Sequence, residues 1–269
     1  MFGTVTVHQA MRGVLIDLDG VVWESDRVVS GAPETIDWLI SQNIPHLFVT
    51  NTTSRPRRLI ADKLARLGVV TNIEQILTPP IAASEWLRKN TDGPAALIVP
   101  ETTKEDFAAI ESVELDESAD IAAIVVGDIG ETWTYSLLNQ AFRLLMYEQP
   151  PQLLALGMTR YWRAADGLRL DVAPFIKALE HAAGCEAIVL GKPSPDFFSI
   201  ALNMIECDID NAIMIGDDLY GDVKGAQDAG ISGMLVKTGK FRPEDLDDPV
   251  KADAVLDSIA KLPAWWAGQ

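Results

Sequence analysis

Four short, mainly apolar runs each stop at a polar motif, and this repeated stop constrains the fold more than any other feature of the sequence. Val14 to Ile16 runs into Asp17, and Pro45 to Val49 runs into Thr50 and Asn51. Ala212 to Ile215 runs into Gly216, Asp217 and Asp218, and Gly233 to Val236 runs into Lys237, Thr238 and Gly239. Runs of this length and character read as parallel strands buried on both faces. Helix-length stretches separate them, the first from Ala32 to Ser41. Strands alternating with helices predict an α/β fold on a doubly wound, Rossmann-like parallel sheet, whose ligands bind beyond the carboxyl ends of the strands. Every motif above sits at such an end.

The middle of the chain repeats the alternation on its own account, with strands at Ala95 to Val99, Ile121 to Val126 and Leu153 to Leu156 and a helix at Leu137 to Met146. Residues 80–186 therefore read as a smaller α/β cap domain inserted into a discontinuous core of residues 1–79 and 187–269. An insertion at the active face of the core is placed to serve as a lid. Within it Asp166-Gly167 signals a hairpin turn, and Arg160 to Arg163 before it read as a solvated hairpin strand rather than as contacts to a leaving group.

Charge narrows the partners. Lys and Arg number 22 against 39 Asp and Glu, a net charge of −17 that repels nucleic acid and anionic membrane surfaces, so neither is expected as a partner. The same charge repels small phosphorylated molecules, so a phosphate site here demands a local cation and a few placed donors. Cys185 and Cys207 are the two cysteines, too few for a disulfide framework, and read as buried thiols. His8, His46 and His181 have no spacing suited to a metal or a triad and read as structural. Trp265 and Trp266 read as a closing helix folded onto the sheet. Met1 to Met11 lack the pattern of a signal peptide, and no segment approaches the ~20 apolar residues of a membrane span, so a cytoplasmic location is expected.

The chemistry gathers at the acids. Asp17 and Asp19 lie two apart at the end of an extended run, so both carboxylates reach one side while Gly20 lets the chain turn beneath them. Such a pair divides labour: one carboxylate attacks phosphorus, and the other exchanges a proton with the leaving group and then with water. A divalent cation relieves their repulsion, and Mg2+ suits a few carboxylates with retained waters; Asp217 supplies a further one. A plain turn would explain Asp17 to Gly20 equally well in isolation. The ordered company of Thr50 at a second strand end, Lys192 before a third segment and Asp217 at another strand end tells against it. The Thr50 hydroxyl and neighbouring backbone N–H groups donate to phosphate oxygens, and Lys192 offsets developing negative charge and is placed to orient Asp17. Asp218 and Asp222 are assigned to metal-bound water or to capping the next helix.

Asp17 to Val21, Val49 to Thr52, Gly191 to Pro195 and Gly216 to Asp218 resemble, in order and spacing, the four motifs of the haloacid dehalogenase superfamily. With the insertion between the second and third, the chain resembles the NagD-like subgroup with an α/β cap. Further runs, among them Leu138 to Arg143 and Lys237 to Pro243, are similar to members of that subgroup that cleave pyrophosphate and N-linked phosphate. The resemblance implies an aspartyl-phosphate on Asp17 and acid–base action by Asp19. It implies magnesium held by Asp17, Asp217 and the Asp19 backbone carbonyl, phosphoryl binding by Thr50, Asn51 and Lys192, and a homodimer through the cap. One departure bears on substrate: those relatives carry Ser at the position of Asp19. An alkoxide leaves poorly without a general acid, so Asp19 favours ordinary phosphate esters while leaving pyrophosphate and N-phosphates open. Transfer of the phosphoryl group to an acceptor other than water, a non-catalytic phosphate-binding protein and a dehalogenase are the competing readings.

Overall fold

The computed structural model describes residues 13–164 and 166–268; the expectations for Met1 to Met11 and for His8 lie outside them. The chain divides into two compact units, one of Met1–Phe48 with Leu202–Gln269 and one of Val49–Ala201.

In the first unit the strands lie in the order Ala254–Leu256, Ser232–Val236, Ala212–Gly216, Gly13–Asp17, His46–Val49. Gly13–Asp17 runs parallel to Ala212–Gly216 with Val14 opposite Ile213 and Ile16 opposite Ile215, and Ser232–Val236 and Ala254–Leu256 continue parallel. All residues of the two central strands are buried, which is why they are apolar without alternation. The first strand among the described residues has later strands on both sides, so the order of the strands reverses between Gly13–Asp17 and Ala212–Gly216, the kind of switch point where α/β sheets bind ligands. Helix Ala32–Ser41, with Pro33 in its first turn, buries Ala32, Thr35, Ile36 and Leu39, a three-and-four spacing that forms one apolar face. Burying Ile36 and Leu39 contributes about 1.5–3 kcal/mol each. The short helix Leu262–Trp266 lies against helix Ala32–Ser41 rather than on the sheet as the sequence suggested, Trp266 meeting Trp38 edge to face at 5.9 Å.

The second unit holds a five-stranded sheet in the order Ile188–Val189, Gln152–Ala155, Ala123–Val126, Ala95–Ile98, Ser112–Val113, parallel throughout. Its core joins Ile98, Ile124, Val126 and Leu153 of the strands to Ala141, Leu144 and Leu145 of helix Tyr135–Leu145 and to Ile176 and Leu179 of helix Ala173–Ala183. The Asp166-Gly167 signal marks a real hairpin, Tyr161–Ala164 antiparallel to Gly167–Leu170. Helix Arg57–Arg66 begins after Pro56, its first N–H donating to both carboxylate oxygens of Asp106 at 3.2 and 3.3 Å. Cys185 and Cys207 are half-buried, not buried as the sequence suggested. His46 is structural: it is buried, and its Nδ1 lies 3.0 Å from the Ile44 carbonyl oxygen. Among the described residues no helix is long and apolar enough to cross a membrane.

Candidate active site

Three buried carboxylates meet at the switch point. Asp17 ends one central strand and Asp217 follows the other, so the register that sets Ile16 against Ile215 delivers both acids to the same edge. The third is Asp222. The side chain of Asp218 accepts the N–H groups of Tyr220 at 3.1 Å and Gly221 at 2.8 Å. That cap opens the wide helical turn Leu219–Lys224, which carries Asp222 back to accept the Asp218 N–H at 3.2 Å. One oxygen from each of Asp17, Asp217 and Asp222 lies within 4.8 Å of the other two. Gly216 makes the approach possible, because a Cβ there would strike the Asp222 side chain.

The turn beyond Asp17 is tightly closed. The Leu18 carbonyl accepts the N–H groups of Val21, Val22 and Trp23 at 3.3, 2.9 and 3.1 Å, and the Gly20 N–H donates to the Trp23 carbonyl at 2.6 Å. Gly20 adopts φ 86°, and a side chain there would run into the Asp217 carboxylate. Asp19 is exposed, and its Oδ1 accepts the indole N–H of Trp23 at 2.7 Å.

A second loop clamps this turn from Ser232–Val236. The Thr238 hydroxyl donates to the Gly20 carbonyl, the Gly239 N–H to Glu24 Oε1 at 2.9 Å and the Lys240 N–H to Asp217 Oδ2 at 2.7 Å. The Lys240 ammonium sits 3.1 Å from Asp218 Oδ2. Burial alone would raise the Asp218 carboxyl, but the Gly221 and Tyr220 N–H groups and Lys240 outweigh it and hold the group below its ordinary range.

The donor set of the cluster is three acidic oxygens, all shielded from bulk water. Such charges are costly to bury together unless a cation joins them, and hard oxygen donors suit a divalent ion of the magnesium or calcium kind. Asp17, Asp217 and Asp222 thus fit a metal. The carboxylate of Asp19 lies outside the cluster.

The remaining expected residues lie in the second unit. Thr50 is buried; its N–H donates to the Leu77 carbonyl at 3.1 Å and its hydroxyl lies 3.0 Å from that of Thr52. Asn51 spans 141 residues to Lys192, donating from Nδ2 to the Lys192 carbonyl and accepting its N–H on Oδ1, both at 2.8 Å. Lys192 is buried. Gly191 keeps this junction close, since a Cβ there would come 3.0 Å from the Leu156 carbonyl and 3.2 Å from Asn51 Oδ1.

Sequence reasoning set Asp222 aside as a holder of water or a helix cap, yet the wide turn brings it into the cluster; Asp218 is the cap. The signal was the four-residue spacing from Asp218, which on any helical turn returns a side chain to the same side. Trp23 and Lys240 went unnoticed because their contacts to Asp19 and Asp217 come from turn geometry that no periodicity announces.

Comparison with known proteins agrees with this geometry. A haloacid dehalogenase-like hydrolase family profile matches residues 14–111, and a HAD-hydrolase-like profile matches residues 189–262. The human protein named phospholysine phosphohistidine inorganic pyrophosphate phosphatase is 37% identical over 256 residues, covering 93% of this chain and 92% of its own. The solved p-nitrophenyl phosphatase from Archaeoglobus fulgidus superposes with a TM-score of 0.84 at 25% identity, covering 95% of this chain and 99% of its own. NagD from E. coli K-12 shares the fold with a TM-score of 0.81 at 20% identity, covering 94% and 98%. The chain belongs to the haloacid dehalogenase-like hydrolases and is a phosphatase.

Proposed function

We propose that the chain is a magnesium-dependent phosphatase of a small phosphorylated molecule, working through an aspartyl-phosphate on Asp17. The observation that carries this reading is the buried cluster of Asp17, Asp217 and Asp222 with Asp19 two residues beyond the nucleophile. Asp17 attacks phosphorus; as the bond to the leaving oxygen breaks, Asp19 gives that oxygen its proton. Asp19 then takes a proton from water as the water oxygen attacks the phosphoryl group, which frees inorganic phosphate and restores the Asp17 carboxylate. Thr50 and Lys192 bind the phosphoryl oxygens. Asn51 contributes its backbone N–H, because its side-chain amide is engaged at both ends with Lys192. Asp17, Asp217, Asp222 and the Asp19 backbone carbonyl would hold magnesium, which when bound would offset the charge of the acids and draw electron density from the phosphoryl group.

The domain limits of this reading are a core of residues 1–79 and 187–269 and a cap of residues 80–186, in a cytoplasmic enzyme. A homodimer through the cap draws support from the hairpin, where Tyr161, Leu168 and Leu170 share one face by register and are all exposed; sedimentation at micromolar concentration tests it. Pyrophosphate or N-phosphate cleavage is the second reading, favoured by the name of the human relative. A panel of phosphoesters, pyrophosphate and phosphoramidates assayed with magnesium separates the two. Asp17→Asn abolishes turnover of whichever substrate is cleaved; retained turnover in that variant overturns the mechanism.

A further inference from the structure

We propose that Trp23 is the positioning residue that determines which oxygen of Asp19 carries the catalytic proton. This rests on the reading of Asp19 as the general acid. Asp19 is exposed and is not packed into the core, so its carboxylate orientation has to come from a specific partner. That partner is the Trp23 indole, 3% exposed, whose Nε1–H reaches Asp19 Oδ1 at 2.7 Å, well within hydrogen-bond range.

The donor is itself immobilised. The backbone of Trp23 is tied at both ends into the turn, its N–H to the Leu18 carbonyl at 3.1 Å and its carbonyl to the Gly20 N–H at 2.6 Å. Asp19 and Trp23 form a β-bridge, and Trp23 opens a two-stranded ribbon in which it faces Val28. An indole nitrogen donates and cannot accept. The oxygen it occupies is therefore kept as an acceptor, and the proton that Asp19 gives to the leaving group and later recovers from water resides on Oδ2. The indole thus orients the acid without touching substrate.

The consequence is a dependence on the leaving group. A weakly basic leaving group such as 4-nitrophenolate departs with little protonation, whereas an alkoxide requires it. The test uses the full chain with magnesium and compares kcat/KM, which reports the step in which the leaving group departs, for 4-nitrophenyl phosphate and for an alkyl phosphate. Two variants are made: Trp23→Phe, and site-specific replacement of Trp23 by 3-benzothienylalanine, which keeps the bicyclic shape and removes the N–H. Both are expected to lose about 10- to 100-fold on the alkyl ester and about twofold or less on the nitrophenyl ester. Asp19→Asn is the reference and should show the same selectivity more strongly.

If Asp19→Asn loses both substrates equally, the reading of Asp19 as general acid falls and the inference with it. If Asp19→Asn discriminates and the benzothienyl variant does not, whether it retains activity or loses both substrates alike, Trp23 has no part in proton delivery and the inference alone is overturned.

Discussion

Asn51 and Lys192 are joined by a closed ring of two hydrogen bonds, each 2.8 Å long, between the side-chain amide of one and the backbone of the other. A single side chain thereby fixes a loop 141 residues away. Asn51→Ala removes both bonds and leaves two backbone groups to find other partners. It is expected to cost about 1–3 kcal/mol of stability and to lower kcat/KM through displacement of Lys192. Urea denaturation and steady-state assays read the two effects; Asn51→Asp, which can accept but not donate, should fall between.

The carboxylate cluster sets a second expectation. With no cation the three acids repel one another, and a bound cation stabilises the folded chain by RT ln(1 + [L]/Kd), about 2.7 kcal/mol at a hundredfold excess over Kd. Magnesium should therefore raise the Tm of the native protein. Asp217→Asn and Asp222→Asn should lose most of that rise while matching or exceeding the native Tm in EDTA. A full magnesium shift in Asp222→Asn would remove Asp222 from the cation site.

Gly20 is held at φ 86° against the Asp217 carboxylate. Gly20→Ala adds left-handed strain of roughly 1–3 kcal/mol and pushes into the acid that the cluster needs. Both stability and magnesium affinity should fall, measured by thermal melts over a magnesium titration. Gly68, also at positive φ, has open space where a Cβ would go; Gly68→Ala should show the strain alone, with magnesium affinity intact.

Asp106 gives a pH signature. Burial pushes its carboxyl up to about 6, against the pull of the Arg57 N–H and charge. A carboxyl with a raised folded-state value binds more protons folded than unfolded, so its contribution to stability is least favourable above about 6 and improves as pH falls toward the ordinary value of 3.8. The stability difference between the native chain and Asp106→Asn should change across that window in favour of the native chain on acidification. A difference that stays flat between pH 7 and 4.5, measured by urea unfolding, would refute the assignment.

Much of this was legible before the structure. The helix Ala32–Ser41 was readable to the residue because Gly31 and Pro33 punctuate its start and its apolar positions recur at three and four. The central strands were readable because burial on both faces makes them continuously apolar. Asp17 and Asp217 followed from their places at the ends of those strands. Asp222 did not, because its four-residue spacing from Asp218 does not say which of the two acids caps the turn and which joins the cluster. The Trp23 contact with Asp19 depends on three N–H groups converging on the Leu18 carbonyl, a geometry set by the whole turn rather than by any residue type. The half-burial of Cys185 and Cys207 escaped for a related reason: residue type sets how often a thiol is buried, and neighbours decide each case.

The pairing of Gly13–Asp17 with Ala212–Gly216 also fixes when the enzyme can come into being during synthesis. Asp17 leaves the ribosome some two hundred residues before Asp217 and Asp222. At roughly 5–20 residues per second the nascent chain spends on the order of ten seconds or more with its first strand lacking the neighbour that completes the cluster. Closing so long a loop carries an entropic cost that local contacts do not repay until the final strands arrive. The carboxylates that repel one another are consequently kept apart until the later strands are available to bury them, and a product truncated before residue 217 carries Asp17 without the two acids that complete its cluster.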